Sequence, residues 1–475
     1  MYYFLNDNMQ FSKSGIEQAE INRLTLFKKH HVAAKIVTRV FAMNLHDVLE
    51  GANIADADFV NLFDFFCGSQ SVKRQRFDLA DFEVPADAIK TRKDNQIQVM
   101  ERGKLIMIIY LRAGTEAVSN VQYFDVNGRT LKMSWWDTRG FKCLEQLFDW
   151  DGKIAQEAYF GPDGLIHVEK LHLLNHAGQE RITWRVLNYN EQSHTFNGMN
   201  ELTRYFYDEL NQLNDEQNVF ICDRTVECAW GLFNMTTPAK KVLHLHNNHV
   251  SDAKDIMHST LNNNYANALN NWAAWDAVIS ATPEQTKDVE ARFGKDIPAF
   301  TIPVGYVDNA TLKAAPVKFD QRQKDLVVQV ARLAPEKQLH AQVAAAHLED
   351  VVLFKGYTTD VNAVYNRAQL GLLPSRAEGF SLMLLEAQAH GLPMVANDVK
   401  YGPSDIIQDH KSGILTTDGD VQQLTKTILE LLKNQGQLAQ YSAQAYENAK
   451  RYSEEAVFKQ WQALLDYFKP AKVTA

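Results

Sequence analysis

The chain has 475 residues and a formal net charge of −9, with 45% hydrophobic, 23% charged and 11% aromatic residues. That length predicts two or three domains rather than one, in a composition ordinary for globular proteins. The acidic balance argues against a general nucleic-acid binder, and the sequence holds no run of 18 apolar residues that would span a membrane.

Cys67, Cys143, Cys222 and Cys228 form no CxxC pair and no paired metal spacing, as expected of a reduced intracellular protein. The opening "MYYFLNDNMQFSKSG" lacks a basic segment followed by an apolar core. A cytoplasmic setting is therefore expected.

In chain order, "YYFLN" reads as a strand, "SKSGIEQAEINRLTLFKKH" as an amphipathic helix and "AAKIVTRVF" as a second strand. That alternation predicts βα units on a parallel sheet. Near Lys93 the text turns to short alternating runs broken by turn signals. "YFDVNG", "LFDWDG" and "YFGPDG" repeat one hairpin pattern, each ending in Asn-Gly or Asp-Gly, which supply the positive φ of tight hairpins. The expectation is an inserted antiparallel β-domain over 81–199, whose free edges suit self-association.

Helical and βα text resumes near Met199, with strands at "NVFICD", "KKVLHLHNNH" and "AVISAT". A helix capped by Thr282 with Pro283 first follows. A second α/β half starts near Lys324 with "KDLVVQVARL" and runs through "VVLFKGY", "LGLLPS" and "MVAND". The final helix, "SEEAVFKQWQALLDYF", has a capping-box-like start at Ser453. The fold class is thus α/β, with two Rossmann-like halves facing a cleft and a β insertion in the first. Ligands of such sheets bind at the carboxyl ends of the strands.

The segment "PSRAEGFSLMLLEAQAHG" places Glu378 in a Gly-containing loop and Glu386 eight residues on, within an apolar helical run. A carboxylate on the buried side of such a run is costly unless something bonds to it. Backbone N–H groups of Gly379, Phe380, Ser381 and Leu382 at the helix start suit anionic or hydroxyl groups. Alone, the pair reads more readily as a solvated loop residue and a salt-bridge residue than as a site.

Here the sequence resembles the GT-B retaining nucleotide-sugar glycosyltransferases of family 4, whose E-x7-E motif matches Glu378 and Glu386. It is most similar to the subgroup acting on poly(glycerol phosphate) or poly(ribitol phosphate) wall teichoic acid, and to the related transferases of Ser-rich adhesins. "SGIE", "LHNNHVSD", "VARLAPEKQ", "FKGYTT" and "DVKYGPSDIIQDHKSGIL" carry the resemblance.

The resemblance implies roles residue by residue. Arg332 and Lys337 would hold the donor diphosphate, supplying positive charge where other transferases use a metal. Gly15 would admit the diphosphate to backbone N–H groups. His249 would contact the transferred sugar, Glu378 the same sugar, and Glu386 the ribose hydroxyls. Gly356 and Tyr357 would lie near the uracil.

No cofactor or metal is expected. "HLHNNH" lacks a carboxylate or cysteine partner at a convincing spacing, and the D-x-D pairs Asp56–Asp58 and Asp149–Asp151 read as turns.

The implied domains are 1–80 with 200–310 (acceptor half), 81–199 (insertion), 311–452 (nucleotide-sugar half) and 453–475 (a helix crossing back). Lys355 follows Lys337 by only 18 positions, where a βαβ unit needs roughly 30 residues. One unit of the family's second half is therefore absent, leaving a helix over 338–348 and the strand "VVLFKGY".

The leading expectation is a hexosyltransferase moving glucose or N-acetylglucosamine from a UDP-sugar to a teichoic acid polymer. It would form a homo-oligomer through the β insertion, with peripheral membrane association. The alternatives are O-glycosylation of Ser/Thr-rich surface proteins and a non-catalytic partner protein with this fold.

Overall fold

Ser14 starts the first long helix, Gly15–Lys29, by accepting from the Ile16 N–H, while Glu17 reaches back to the Ser14 N–H. This reciprocal cap fixes where the helix begins, and its inner face buries Leu24, Leu26 and Phe27. The computed structural model describes residues 1–214, 217–331, 347–358 and 360–469. It divides into two compact units, Met1–Val242 and Leu243–Ala475.

In the first unit, parallel strands run in the order Val219–Cys222, Tyr2–Leu5, Ala34–Thr38, Phe59–Asn61. Phe4, Leu5, Ile36, Val37, Phe220 and Ile221 are all buried, the continuous apolar text of a sheet covered on both faces.

The same unit carries a ten-stranded antiparallel sheet from Ile89–Lys93 to Gln192–Phe196, each strand paired with the next in the chain. Alternate residues Ile97, Val99, Ile109 and Val121 pack with Trp136 on one face. The edge strand Ile89–Lys93 is wholly exposed. Its text, "IKTRK", has a single apolar residue, which is why the strand pattern becomes legible only after it.

The repeated hairpin tips differ from the sequence expectation in one respect. Only the glycines Gly128, Gly152 and Gly164 take positive φ; the Asn or Asp before each does not. In the first two tips the acid opening the turn does the other part of the work. Asp125 Oδ1 accepts from the N–H groups of Asn127 and Arg129, and Asp149 Oδ1 from those of Asp151 and Lys153. This is a type I turn closed by a left-handed glycine, which needs one positive φ rather than two.

In the second unit, Ala277–Ser280 pairs in parallel with Ala299–Thr301. A further parallel sheet runs Val327–Val328, Leu370–Leu373, Met394–Asp398, Gly413–Thr417. Leu370 and Val395 from this sheet pack against Leu431, Leu438 and Tyr441 of the helices Val421–Lys433 and Gln435–Ala449.

The segment "VVLFKGY" is not a strand. Residues 347–358 are turns and irregular chain, with Val351, Leu353 and Tyr357 exposed. A β-branched run forms a strand only when it has a neighbour to pair with and a face to bury. Among the described residues, the strand expected at "KDLVVQVARL" pairs only at Val327 and Val328, and the helix expected over 338–348 falls almost wholly outside the described residues.

Ser453 caps the last helix, Glu454–Tyr467, through the Ala456 N–H. With alanine at the third position there is no reciprocal bond, so the capping-box expectation fails there. Glu454 instead accepts from the Asn309 N–H at 3.0 Å.

Candidate functional site

Beyond the strand Lys240–His244 the chain continues as Leu245-His246-Asn247-Asn248-His249 and is pinned on several sides. The His246 N–H donates to the Tyr265 hydroxyl at 2.9 Å, and the Asn262 N–H to the His249 carbonyl at 3.1 Å. Gln285 Nε2 donates to the Asn247 carbonyl at 2.8 Å. Gln285 stands on the helix Pro283–Phe293, which Thr282 caps with Pro283 at its first position as the sequence predicts.

His249 is fully buried. Its ring lies 6.2 Å from that of Tyr401, at 21°, and 6.3 Å from that of Phe293. Among the described residues, neither imidazole nitrogen has a hydrogen-bond partner. Burial pulls its pKa down to about 4; Asp288 works against that, and Arg292 and Lys400 reinforce it. The ring is therefore neutral near pH 7, with one donor and one acceptor unused. Leaving a buried polar atom unsatisfied costs about 1–3 kcal/mol.

Around it, Asp288 accepts from the Tyr401 hydroxyl at 2.8 Å and from Lys400 Nζ at 3.2 Å. Lys400 also pairs with Glu284 at 3.1 Å.

The strand Leu370–Leu373 leads through the loop carrying Glu378 into the helix Leu382–Ala389. Gly379 permits a close approach between two loops. A Cβ there would sit 2.3 Å from the His246 carbonyl oxygen and 2.7 Å from Asn247 Cα, so any side chain would drive the two loops apart. Glu378 is half-buried, and its carbonyl accepts from the Tyr401 N–H at 3.2 Å.

Phe380 is buried, edge-on to Tyr452. Ser381 adopts φ 77° and makes no side-chain cap bond. The first N–H groups of a helix have no intrahelical acceptor, so this uncapped start, with Leu382 as its first residue, is open to an anion or hydroxyl.

Glu386 corrects the sequence reading. It is exposed, while Leu384, Leu385, Ala387, Gln388 and Ala389 around it are buried. The carboxylate is therefore at the rim of the helix, not on its inner side. Protein packed around it still raises its pKa by desolvation, against a lowering by Tyr365. The Tyr365 hydroxyl donates to Glu386 Oε2 at 3.0 Å.

The structure thus brings His249, Glu378, Gly379, Phe380 and Ser381 together, with Glu386 farther along the same helix. Gly15 lies in the first unit, exposed, with nothing within 4 Å of where a Cβ would be. Gly356 takes φ 72° and the Tyr357 ring is 82% exposed. Arg332 and Lys337 lie outside the described residues.

Comparison with known proteins bears on what this arrangement serves. Residues 311–451 match the family described as "Glycosyl transferases group 1". Over 523 residues the chain is 25% identical to the "UDP-N-acetylglucosamine--peptide N-acetylglucosaminyltransferase GtfA subunit" of Streptococcus gordonii, covering 98% of each. Over 506 residues it is 22% identical to the "Poly(glycerol-phosphate) alpha-glucosyltransferase" of Bacillus subtilis, covering 97% of this chain and 74% of the relative. The crystal structure of the pneumococcal O-GlcNAc transferase GtfA in complex with UDP and GlcNAc superposes with a TM-score of 0.83, at 19% identity, covering 98% of both chains. The fold is that of a GT-B glycosyltransferase. The alignment to the S. gordonii relative spans more positions than this chain has residues, so it contains stretches that this chain lacks.

Within this GT-B chain, several residues that build the site escaped the sequence reading. Asp288 and Tyr401 hold each other beside His249, Tyr365 holds Glu386, and Gly402 lets the next loop touch the Phe380 carbonyl, 2.2 Å from its would-be Cβ. "YGP" after the strand Met394–Asp398 marked a turn and a helix start. Nothing in "DVNAVYNRA" marked Tyr365, whose role depends on a contact 21 residues away.

The D-x-D carboxylates are engaged elsewhere: Asp149 in its turn, Asp56 with His46 at 2.8 Å, and Asp58 with Lys28 at 2.5 Å.

Proposed function

We propose that this protein is a retaining hexosyltransferase that moves glucose or N-acetylglucosamine from a UDP-sugar to a teichoic acid polymer of the poly(glycerol phosphate) kind. The observation that carries the reading is His249. It is a buried, neutral imidazole with both nitrogens unused among the described residues, on a segment packed against the Glu378 loop that leads to an uncapped helix start. A ligand with hydroxyl groups would satisfy what the protein leaves open.

In this reading His249 and Glu378 contact the sugar, and Glu386 accepts from the ribose hydroxyls. Ser381 and Leu382 offer main-chain N–H groups, and Gly356 and Tyr357 stand near the uracil. Arg332 and Lys337 neutralise the diphosphate, with Gly15 leaving room for it, so that no metal is required. The bond from the anomeric carbon to the leaving phosphate oxygen breaks as the acceptor oxygen bonds on the same face. The acceptor's proton passes to that phosphate oxygen. The setting is cytoplasmic, with peripheral contact to the membrane.

Self-association would run through the ten-stranded sheet, where Val126, Trp150 and Leu174 are exposed. Among the described residues no helix is long and apolar enough to cross a membrane.

A second acceptor, a Ser/Thr-rich surface protein, is favoured by the likeness to GtfA. The shortened text after Lys337 is the feature favouring a non-catalytic partner. Incubating the protein with each UDP-sugar and either poly(glycerol phosphate) or a Ser-rich polypeptide separates these readings. Sugar in the polymer is expected. Sugar in the polypeptide alone would reassign the acceptor, and none in either would leave the partner role.

A further inference from the structure

We infer that Asn248 is a positioning residue, whose carboxamide clamps the segment bearing His249 to the loop bearing Glu378. Asn248 is buried beside His249 in the chain. The two oxygens facing one end of its carboxamide are the backbone carbonyls of Glu378 and Lys400. Carbonyl oxygens only accept, so the amide nitrogen must face them. It then donates to Glu378 O at 2.6 Å and to Lys400 O at 3.3 Å. One side chain thereby joins three segments: the one ending at His249, the loop of Glu378, and the turn after the strand Met394–Asp398.

Two further contacts make the clamp specific. The Tyr401 N–H also donates to the Glu378 carbonyl, at 3.2 Å, so that oxygen is held from two sides. Gly379, the next residue, lies against the His246 carbonyl with no space for a Cβ. Lys400 and Tyr401 in turn bond Asp288, whose helix also sends Gln285 to the Asn247 carbonyl. Asn248 thus donates to the main chain of both the Glu378 loop and the Lys400 turn. Its replacement by aspartate keeps the shape but turns the donor into a third acceptor, repelling both carbonyls.

The kinetic part of this inference rests on the transferase reading above; the structural part does not. Asn248→Asp should lower kcat at saturating donor by about 100-fold, as expected when preorganised groups lose their geometry, while the Kd for UDP stays within about threefold. Since a positioning residue acts through another, Asn248→Asp combined with His249→Ala should be no slower than His249→Ala alone. Additive losses, or an unchanged kcat, would overturn the proposal.

Independently of turnover, hydrogen–deuterium exchange on Asn248→Ala should show faster exchange confined to 246–262 and 376–402. Unchanged exchange there, or a loss of protection spread over the whole second unit, would overturn the clamp even in a protein that transfers no sugar. If wild type is inactive but the exchange is localised, the transferase reading fails and the clamp stands.

Discussion

Replacing Tyr365 by phenylalanine removes one hydroxyl and leaves the ring. Tyr365 is 1% exposed and its hydroxyl donates to Glu386 Oε2 at 3.0 Å. Its carbonyl is separately held by Arg322 Nη1 at 2.7 Å, so the helix Val361–Arg367 keeps its place. A hydrogen bond to a charged group is worth about 1.5–3 kcal/mol. Glu386 is partly open to water, which can replace the lost donor, so we take the low end or below, about 0.7–1.5 kcal/mol.

If Glu386 grips the ribose only when Tyr365 aims it, UDP affinity should weaken by about 3- to 12-fold. The pH dependence gives a second handle. Burial raises the Glu386 pKa and the Tyr365 bond opposes that rise. Losing the bond should raise the pKa further. The ionised form binds hydroxyls, so UDP affinity should fall as pH drops through this pKa, and should fall at a higher pH in Tyr365→Phe. Calorimetric titration of UDP into both proteins across pH 5 to 8 reads both effects. An unchanged Kd at every pH would refute the coupling of Tyr365 to the nucleotide through Glu386.

Glu378→Ala should abolish transfer while UDP binding remains measurable; wild-type turnover would remove Glu378 from the chemistry. Gly379→Ala should destabilise by about 1–3 kcal/mol, the usual range for overpacking, and should slow transfer. A melting curve identical to wild type would contradict the close contact with His246. His46 sits between Asp56 at 2.8 Å and Asp64 at 3.0 Å. Burial lowers its pKa, but the bond and charge of Asp64 outweigh that and leave it raised. Its stabilising contribution is thus fully present below about pH 6.5 and is lost as pH rises through the folded value. Thermal melts from pH 6 to 9 should show this decline flattened in His46→Gln, and parallel curves would dismiss it. Transfer should survive EDTA, and complete loss on chelation, restored by one divalent ion, would replace the metal-free mechanism.

Periodicity made the parallel strands and the hairpin series legible, because burial on a sheet face and Gly-closed turns each leave a local trace. Thr282, Pro283 and Ser453 marked helix starts for the same reason. Glu386 was misplaced because a short helix that is apolar nearly all round gives no clear inner face; Leu384 and Leu385 are buried, yet the next residue is exposed. The "VVLFKGY" expectation failed because strand formation depends on a neighbour, which no local pattern supplies. Asn248, Tyr401 and Asp288 were out of reach for a related reason. Each acts through residues more than 100 positions away, and only the folded chain brings those partners within bonding distance.

The central claim, that the second unit supports a working nucleotide-sugar site, is tested most directly by calorimetry. UDP, UDP-glucose and UDP-N-acetylglucosamine are titrated in turn into the purified 475-residue chain. Micromolar binding is expected, with one UDP-sugar preferred over the other. No heat of binding from any of the three, in a protein that melts cooperatively, would contradict it.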